Sequence, residues 1–413
     1  MSSTSAIPPT PTSYLQQLLV FLCLVAFFDG YDLFAISQTL PELRLGFGLS
    51  PESGSRLLAI ANIGTIAAYF LMRLADRWGR RPLLIMCVAG YSLASLLSAA
   101  APEYLTFFSG QFTVRLFLVS ALAVVVMYAT EEYPSSRRGR IVGLVQACFS
   151  VGGVVCAVIT PKLLKTGLGW RSVYLAGGLS ALLLIFAVLR LRETERFLTS
   201  RSASMLAPLI PKLLPKQHRK RMLQLATVWL VTFTCNQSAL IFWKEFAQAE
   251  RSMSNEAVGT SIAIASVLTI PLVVWFGRFT DRIGRRKSAA TVYAITAIGV
   301  LGSYSSIPKQ FLVVPLLFLI FGSSAAVAVL STWTAECFPT ELRGDSFAWA
   351  NSLLGRIGFV LSPLLVSELV SSLGWSHALS LTAILPLLAI AMTNRWLPET
   401  AGKDLEDLEQ STR

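Results

Sequence analysis

Charge is scarce in this sequence. Asp, Glu, Lys and Arg supply 14% of its 413 residues, where a soluble domain carries about 25%. Histidine is rarer still: only His218 and His377 occur, both in loop or loop-edge contexts. The six cysteines (Cys23, Cys87, Cys148, Cys156, Cys235 and Cys337) form neither a C-x-x-C nor a cluster with histidine. They read as small core residues rather than disulfides or metal ligands, and no cofactor or metal centre is implied. The phosphate-binding pattern G-x-x-x-x-G-K-[ST] is missing, which leaves ATP-driven chemistry unsupported. An integral-membrane enzyme would want paired carboxylates with histidines, or a nucleophile and base at one depth. No such set occurs, and the chain does not read as an enzyme.

What is abundant is hydrocarbon. Hydrophobic residues make up 54% of the chain and the mean hydropathy is +0.61. They come in blocks of about 18–25 residues, the length of helix that crosses roughly 30 Å of bilayer core. Twelve spans are expected, near residues 15–38, 55–74, 82–101, 104–129, 141–162, 172–190, 222–247, 256–278, 288–307, 310–335, 346–370 and 375–396. The fold class is therefore all-α integral membrane, with two bundles of six helices at 15–190 and 222–396. A basic linker at 191–221 joins them, and its length permits an amphipathic helix at the interface. Residues 1–14 are expected to be a disordered Ser/Thr/Pro tail and 397–413 a second short tail.

The net charge of +12 could suggest nucleic acid. Its placement points instead to membrane topology, because basic residues collect in cytoplasmic loops. With the N-terminus inside, cytoplasmic segments hold 25 of the 35 Lys and Arg residues, and both termini are expected in the cytoplasm. No nucleic-acid partner is expected; the bilayer is the surrounding partner.

The two halves repeat. D-R-W-G-R-R at 76–81 returns as D-R-I-G-R-R at 281–286, E-E-Y-P-S-S-R-R-G at 131–139 as E-C-F-P-T-E-L-R-G at 336–344, and L-G-W at 168–170 as L-G-W at 373–375. All three recur at an offset of 205, close to half the chain. A six-helix unit has been duplicated with equivalent loops on the same side, a parallel repeat about an axis along the membrane normal. Candidate gating residues follow from these loops: Asp76, Arg80, Arg81, Glu131 and Arg138, and in the second half Asp281, Arg285, Arg286, Glu336 and Arg343. The aspartates suit the positive end of a neighbouring helix, and the arginines suit helix carbonyl ends or the two glutamates. Such latches would hold one access state closed and break in the other.

Twelve spans in two halves, with D-R-x-G-R-R after spans 2 and 8, resemble the major facilitator superfamily over nearly the whole chain. The family's glycine four residues before the motif aspartate is kept at Gly277, but the first copy has Met72. The resemblance implies alternating access and a central cavity lined by spans 1, 4, 7 and 10.

Four charges sit deep inside the spans: Asp29 and Asp32 in span 1, Arg115 in span 4 and Arg356 in span 11. Each costs roughly 2.5–3.5 kcal/mol at the bilayer centre, and structure alone has no need of them. Counting about 1.5 Å per residue from the span ends puts the aspartates and Arg115 at comparable depth. The i, i+3 spacing puts both acids on one side of the helix, and Gly30 between them admits a close neighbour. D-G-Y-D at 29–32 resembles span 1 of the aromatic acid:proton symporter group, and G-R-I-G-F-V-L-S-P-L-L at 355–365 resembles its span 11. Arg115 matches that group's arginine, although the glycines that usually follow are replaced in R-L-F-L-V-S-A-L-A-V-V.

Desolvation drives a buried carboxylate toward its neutral form, and a guanidinium beside it opposes this. An anion that claims the guanidinium therefore favours proton uptake, and proton and anion promote each other's binding. Asp29 and Asp32 are the candidate proton-coupling residues. Arg115, Arg356, Asn236, Gln237 and Gln146 are candidate substrate ligands, the arginines because they fork onto carboxylates. A permanent salt bridge is the competing reading for the charges. Trp243 and Trp333, near span ends, fit either a substrate wall or interfacial anchors.

The expected function is proton-coupled import of a small organic acid, an aromatic carboxylate, by a monomer in a bacterial inner membrane. Alternatives are a sugar or polyol porter, an effluxer, and a membrane sensor without flux. Against sugar, span 7 lacks Q-Q-x-x-G; against a sensor, both tails are short.

Overall fold

The computed structural model describes residues 12–189, 191–194, 197–198 and 210–400. The expected interfacial helix of the linker falls largely on 199–209, and the tails on 1–11 and 401–413, outside the described residues. The described residues contain helices and no strand.

Twelve helices long enough to span a bilayer follow in order: α1 (Thr12–Gly46), α2 (Pro51–Arg73), α3 (Arg80–Ala99), α4 (Tyr104–Glu132), α5 (Ser135–Leu163), α6 (Arg171–Val188), α7 (Lys216–Ile241), α8 (Asn255–Ile283), α9 (Arg285–Ser303) and α10 (Val313–Glu336). The last two meet within Ile357–Leu381, where Gly374 at φ +75° turns the chain. α11 is thus 340–373 and α12 375–396. Short helices Ala75–Trp78 and Trp243–Ala249 extend α2 and α7.

The helices run beyond the apolar blocks that predict them. α1 continues eight residues past the expected end at 38, through Pro41, and α5 begins at Ser135 rather than 141. Hydropathy marks the hydrocarbon core, whereas the helix persists into the polar interface until a turn signal stops it. Capping sets other starts. Ser50 accepts the amide of Ser53, with Pro51 at the first helical position of α2, and Ser254 accepts that of Ala257 at α8.

Packing repeats between halves. In the first bundle α1 packs on α5, α3 on α4, α2 on α4, and α3 on α6; in the second α7 packs on α11, α9 on α10, α8 on α10, and α9 on α12. Across the bundles α2 meets α11 and α5 meets α8. The first and last described residues, Thr12 and Thr400, lie at one end of the molecule. There each bundle has its own core, one built from residues such as Leu22, Tyr91 and Tyr128, the other from Trp229, Tyr293 and Trp333. At the far end one core serves both bundles, joining Tyr31, Trp170 and Tyr174 to Phe242, Trp243 and Trp375.

Candidate functional site

A polar cluster lies inside the first bundle. Asp29 and Asp32 are 0% and 4% exposed on α1, within the apolar stretch of that helix from 18 to 36. Backbone proximity places them: a Cβ on Gly30 would collide with the Phe149 carbonyl of α5, so only glycine lets α1 approach this closely. The Asp32 carboxylate accepts a 3.2 Å hydrogen bond from Ser95 Oγ on α3 through one oxygen, and its other oxygen has no partner. Gly177 on α6 makes room for it, since a Cβ there would come within 2.7 Å of Asp32 Oδ1. Neither oxygen of Asp29 is hydrogen-bonded; Tyr91 Oη of α3 is beside it but outside bonding geometry.

The guanidinium expected beside these acids is not paired with them. Arg115 is 3% exposed on α4, its stem against Gly64 of α2, and its buried Nε and Nη2 have no hydrogen-bond partner. The permanent salt bridge is thereby excluded for this state. Arg356 follows a π-helical stretch, Ala348–Gly355, within α11. Such stretches re-aim the residues after them and recur at functional sites. It crosses the bundle interface, donating from Nη1 to the Thr65 carbonyl at 3.2 Å, while its buried Nε has no partner. One turn along, Asn62 Nδ2 donates to the Phe359 carbonyl at 2.7 Å and leaves Oδ1 buried and unpaired. Most buried polar groups in proteins are satisfied. Unsatisfied acid, guanidinium and amide groups thus stand on α1, α2, α4 and α11.

The remaining candidates are dispersed. Asn236 reaches only the Ser323 carbonyl of α10, at 3.4 Å, and Gln237 is half-buried beside it. Gln146 is exposed on α5. Trp243 and Trp333 are 1% and 0% exposed, which rules out lipid-facing anchors for both. Trp333 Nε1 instead donates to the Pro398 carbonyl.

The loop motifs make the same structure twice. Arg80 binds Glu131 at 2.9 Å and Arg285 binds Glu336 at 2.7 Å, each within its own bundle. Asp76 pairs with Arg73 and Arg80 rather than with a helix end. The helix-end role falls to two acids outside the motifs. Glu193 accepts the amides of Arg80 and Arg81 at the start of α3, and Glu399 those of Arg285 and Arg286 at the start of α9. The adjoining Thr194 and Thr400 hydroxyls donate to Glu131 and Glu336. A repeat of Glu-Thr at 193–194 and 399–400, offset by 206, is the signal that could have found them. Gly79 and Gly284 turn the chain there at φ +103° and +90°, a conformation open to glycine at little cost. Arg81 and Arg286 bond the carbonyls of Leu189 and Leu397, and Arg138 that of Tyr133. The buried Nε of Arg343 has no partner among the described residues, and the side chain of Asp281 lies outside them.

At the far end, charges join the two bundles. Lys244 binds Glu42 at 3.0 Å and the Gln38 carbonyl, and Arg44 binds Glu245 at 3.2 Å. Lys165–Glu256 and Arg56–Glu368 add exposed bridges between α5–α6 and α8, and between α2 and α11. A cavity of about 460 Å³ opens beside these pairs, against Glu42, Trp170, Lys165 and Glu256. Opposite charges near the ends of spans 1 and 7, equivalent helices of the two halves, were visible in sequence, but nothing local told that they meet. At the other end the glycines of α5 and α8 lie in open surroundings. A Cβ added at Gly139 or Gly143 of α5, or at Gly277 of α8, would meet nothing within 4 Å, so Gly277 makes no close helix contact in this state.

Comparison with known proteins places this architecture. The chain is 24% identical to the niacin transporter NiaP of Acinetobacter baylyi, over 92% of this chain and 93% of that one. It is 26% identical to the 4-hydroxybenzoate transporter PcaK of Pseudomonas aeruginosa and to the gallate transporter of Pseudomonas putida, each over 92% of both chains. The inward open structure of the xylose transporter XylE from E. coli superposes with a TM-score of 0.77 at 19% identity, covering 96% of this chain and 99% of that one. The family model of the Major Facilitator Superfamily matches residues 22–244 and 228–412. Duplicated bundles, duplicated loop latches and these matches agree: the chain belongs to the Major Facilitator Superfamily, a family of membrane transporters.

Proposed function

We propose that the protein is a proton-coupled symporter that imports a small organic acid, an aromatic carboxylate, by alternating access. The observation that carries this reading is the pair of buried acids on α1, bonded only through Ser95, with the unpaired guanidinium of Arg115 in the same bundle. A buried acid without a counter-ion suits a proton carrier, since the proton supplies the neutrality that no side chain provides. Arg115 and Arg356, with unused N–H groups, suit a carboxylate. When the carboxylate is bound, its charge opposes that of an ionised aspartate and promotes protonation, which is the coupling symport requires. Asn236 and Gln237 on α7 would contact the hydroxyl groups of the ring, with Gln146 of α5 on the exit side.

The orientation follows from charge. With both termini in the cytoplasm, as the 25 of 35 basic residues on that side favour, the shared far-end core faces outward and the separated end faces inward. The state described is then inward-facing. The duplicated latches of Arg80, Arg81, Glu131 and Asp76, and their counterparts Arg285, Arg286 and Glu336, brace each bundle while the bundles rock. Relatives named for niacin, gallate and 4-hydroxybenzoate support an aromatic acid as cargo, and their bacterial sources support an inner membrane.

The test is uptake of radiolabelled aromatic acids into proteoliposomes, with and without an inward proton gradient, beside Asp32→Asn. Gradient-driven uptake that the substitution abolishes is expected. Uptake of equal rate with and without the gradient, unchanged by the substitution, would overturn coupling.

A further inference from the structure

One serine of the first bundle departs from the habit of its neighbours. On α3, Ser92 and Ser98 return their hydroxyls to their own helix, to the carbonyls of Val88 and Ala94 at 2.6 and 2.8 Å. That is the nearest acceptor a helical serine has. Ser95, between them and buried, bonds instead to two other helices. Its Oγ lies 3.2 Å from Asp32 Oδ1 on α1 and 3.3 Å from the Tyr174 carbonyl in the first turn of α6. Gly178 lets α6 close on α3, since a Cβ there would lie 3.0 Å from the Ser92 carbonyl oxygen. The second bundle is an internal comparison. At the offset of 205, Ser95 and Tyr174 correspond to Val300 and Leu379, both 0% exposed. Packing is complete there without a hydroxyl.

We propose that Ser95 is a positioning residue that follows the protonation of Asp32 by turning its single proton between α1 and α6; this rests on the reading of Asp32 as a proton carrier. A hydroxyl has one proton to give, so it cannot donate fully to both acceptors. With Asp32 ionised, the charge-assisted bond is the stronger and the proton points at α1. With Asp32 protonated on Oδ1, the acid O–H donates to Ser95 Oγ, and the serine proton turns to the Tyr174 carbonyl. Asp32 stays hydrogen-bonded in both forms, and only in the neutral form does α3 hold α6 fully. The signal arrives where α6 is tied back to α1. Tyr174 Oη is 2.8 Å from Thr39 Oγ1, and Tyr31 Oη donates to the Val173 carbonyl at 3.2 Å. Tyr31 and Tyr174 belong to the far-end core that both bundles share, so the proton is read where the bundles meet. The other ionisable groups on the surrounding helices are Asp29 and Tyr31 of α1, Cys87 and Tyr91 of α3, Arg115 of α4, Cys156 of α5 and Tyr174 of α6. None of them is hydrogen-bonded to Asp32 among the described residues, and Lys244 beyond α7 is engaged with Glu42.

The experiment is infrared difference spectroscopy of the full chain in lipid nanodiscs, between acid and alkaline buffer, with tyrosine carrying heavy carbon at its carbonyl. A protonated-carboxyl band that Asp32→Asn removes is expected. Ser95→Ala should shift that band and make its proton about tenfold harder to release, and Ser95→Thr, which keeps the hydroxyl, should restore both. A labelled amide band should move with the carboxyl band. It should be lost in Tyr174→Phe, which carries no label there, and should stay still in Ser95→Ala. A carboxyl band that Ser95→Ala leaves unmoved, or a labelled amide band that does not respond to pH in the unsubstituted chain, would overturn the relay and leave Asp32 a proton carrier. Absence of any band that Asp32→Asn removes would overturn the coupling reading itself, and the relay with it.

Discussion

The two ends of the molecule use charge in opposite ways. At the far end Lys244, Glu42, Arg44 and Glu245 bind across the bundle interface, over a core that both bundles share. At the end bearing the termini, Arg80 with Glu131 and Arg285 with Glu336 bind within one bundle, and the cores are separate. The difference teaches which contacts belong to the repeated unit and which to the meeting of the two bundles. The internal latches come with the duplicated unit and are the same twice. The far-end bonds exist only because the two bundles face each other, and in this state they join them.

The largest expected effect comes from cutting the far-end bonds. Lys244 and Glu245 are 3% and 2% exposed, and removing one partner of a buried pair costs about 3–5 kcal/mol. Lys244→Met should therefore shift the population toward opening at that end, read as faster maleimide labelling of a cysteine placed at Trp170. The swap Glu42→Lys with Lys244→Glu should restore much of the closed state; unchanged labelling in the single variant would break the contrast between the ends.

A smaller and matched effect is expected at the internal turns. Gly79→Ala and Gly284→Ala force a side chain into positive φ and toward the carboxylates of Glu193 and Glu399. Each should cost ~1–3 kcal/mol and lower the thermal unfolding midpoint by similar amounts. Unequal losses would show that the two latches are not equivalent. Glu193→Gln and Glu399→Gln should come next, each costing about 0.5–2 kcal/mol through weaker capping of α3 and α9, measured the same way. The least effect belongs to Arg56→Ala. Its bridge to Glu368 joins side chains 58% and 72% exposed, and such pairs contribute about 0–1 kcal/mol; a marked change in far-end labelling would make this bridge part of the seal.

How far the sequence carried these features depended on whether their signal was local. The twelve helices and their duplication were legible because apolar length and an offset of 205 can be read along one strand of text. Asp29 and Asp32 stood out because a carboxylate in an apolar run has no cheap explanation. Their partner did not: Ser95 is 63 residues from Asp32 and looks like any serine of an apolar helix. Arg115 was placed at a fitting depth, yet depth cannot say whether a guanidinium points at an acid, and here it does not. Trp243 and Trp333 were ambiguous because an aromatic near a span end has the same sequence signature facing lipid or core. The far-end pairs, about 200 residues apart, arise only when the bundles meet.

The most direct measurement is a pair of electron spin–spin distances on the full chain in lipid nanodiscs. One label pair sits at Leu144 and Phe279 on α5 and α8 at the end bearing the termini, the other at Leu168 and Ser306 at the far end; all four positions are exposed. The account predicts a long first distance and a short second one, exchanging in population when Lys244→Met is introduced. Two distances that keep their values in that variant would contradict the claim that the far-end charges hold the molecule in this state.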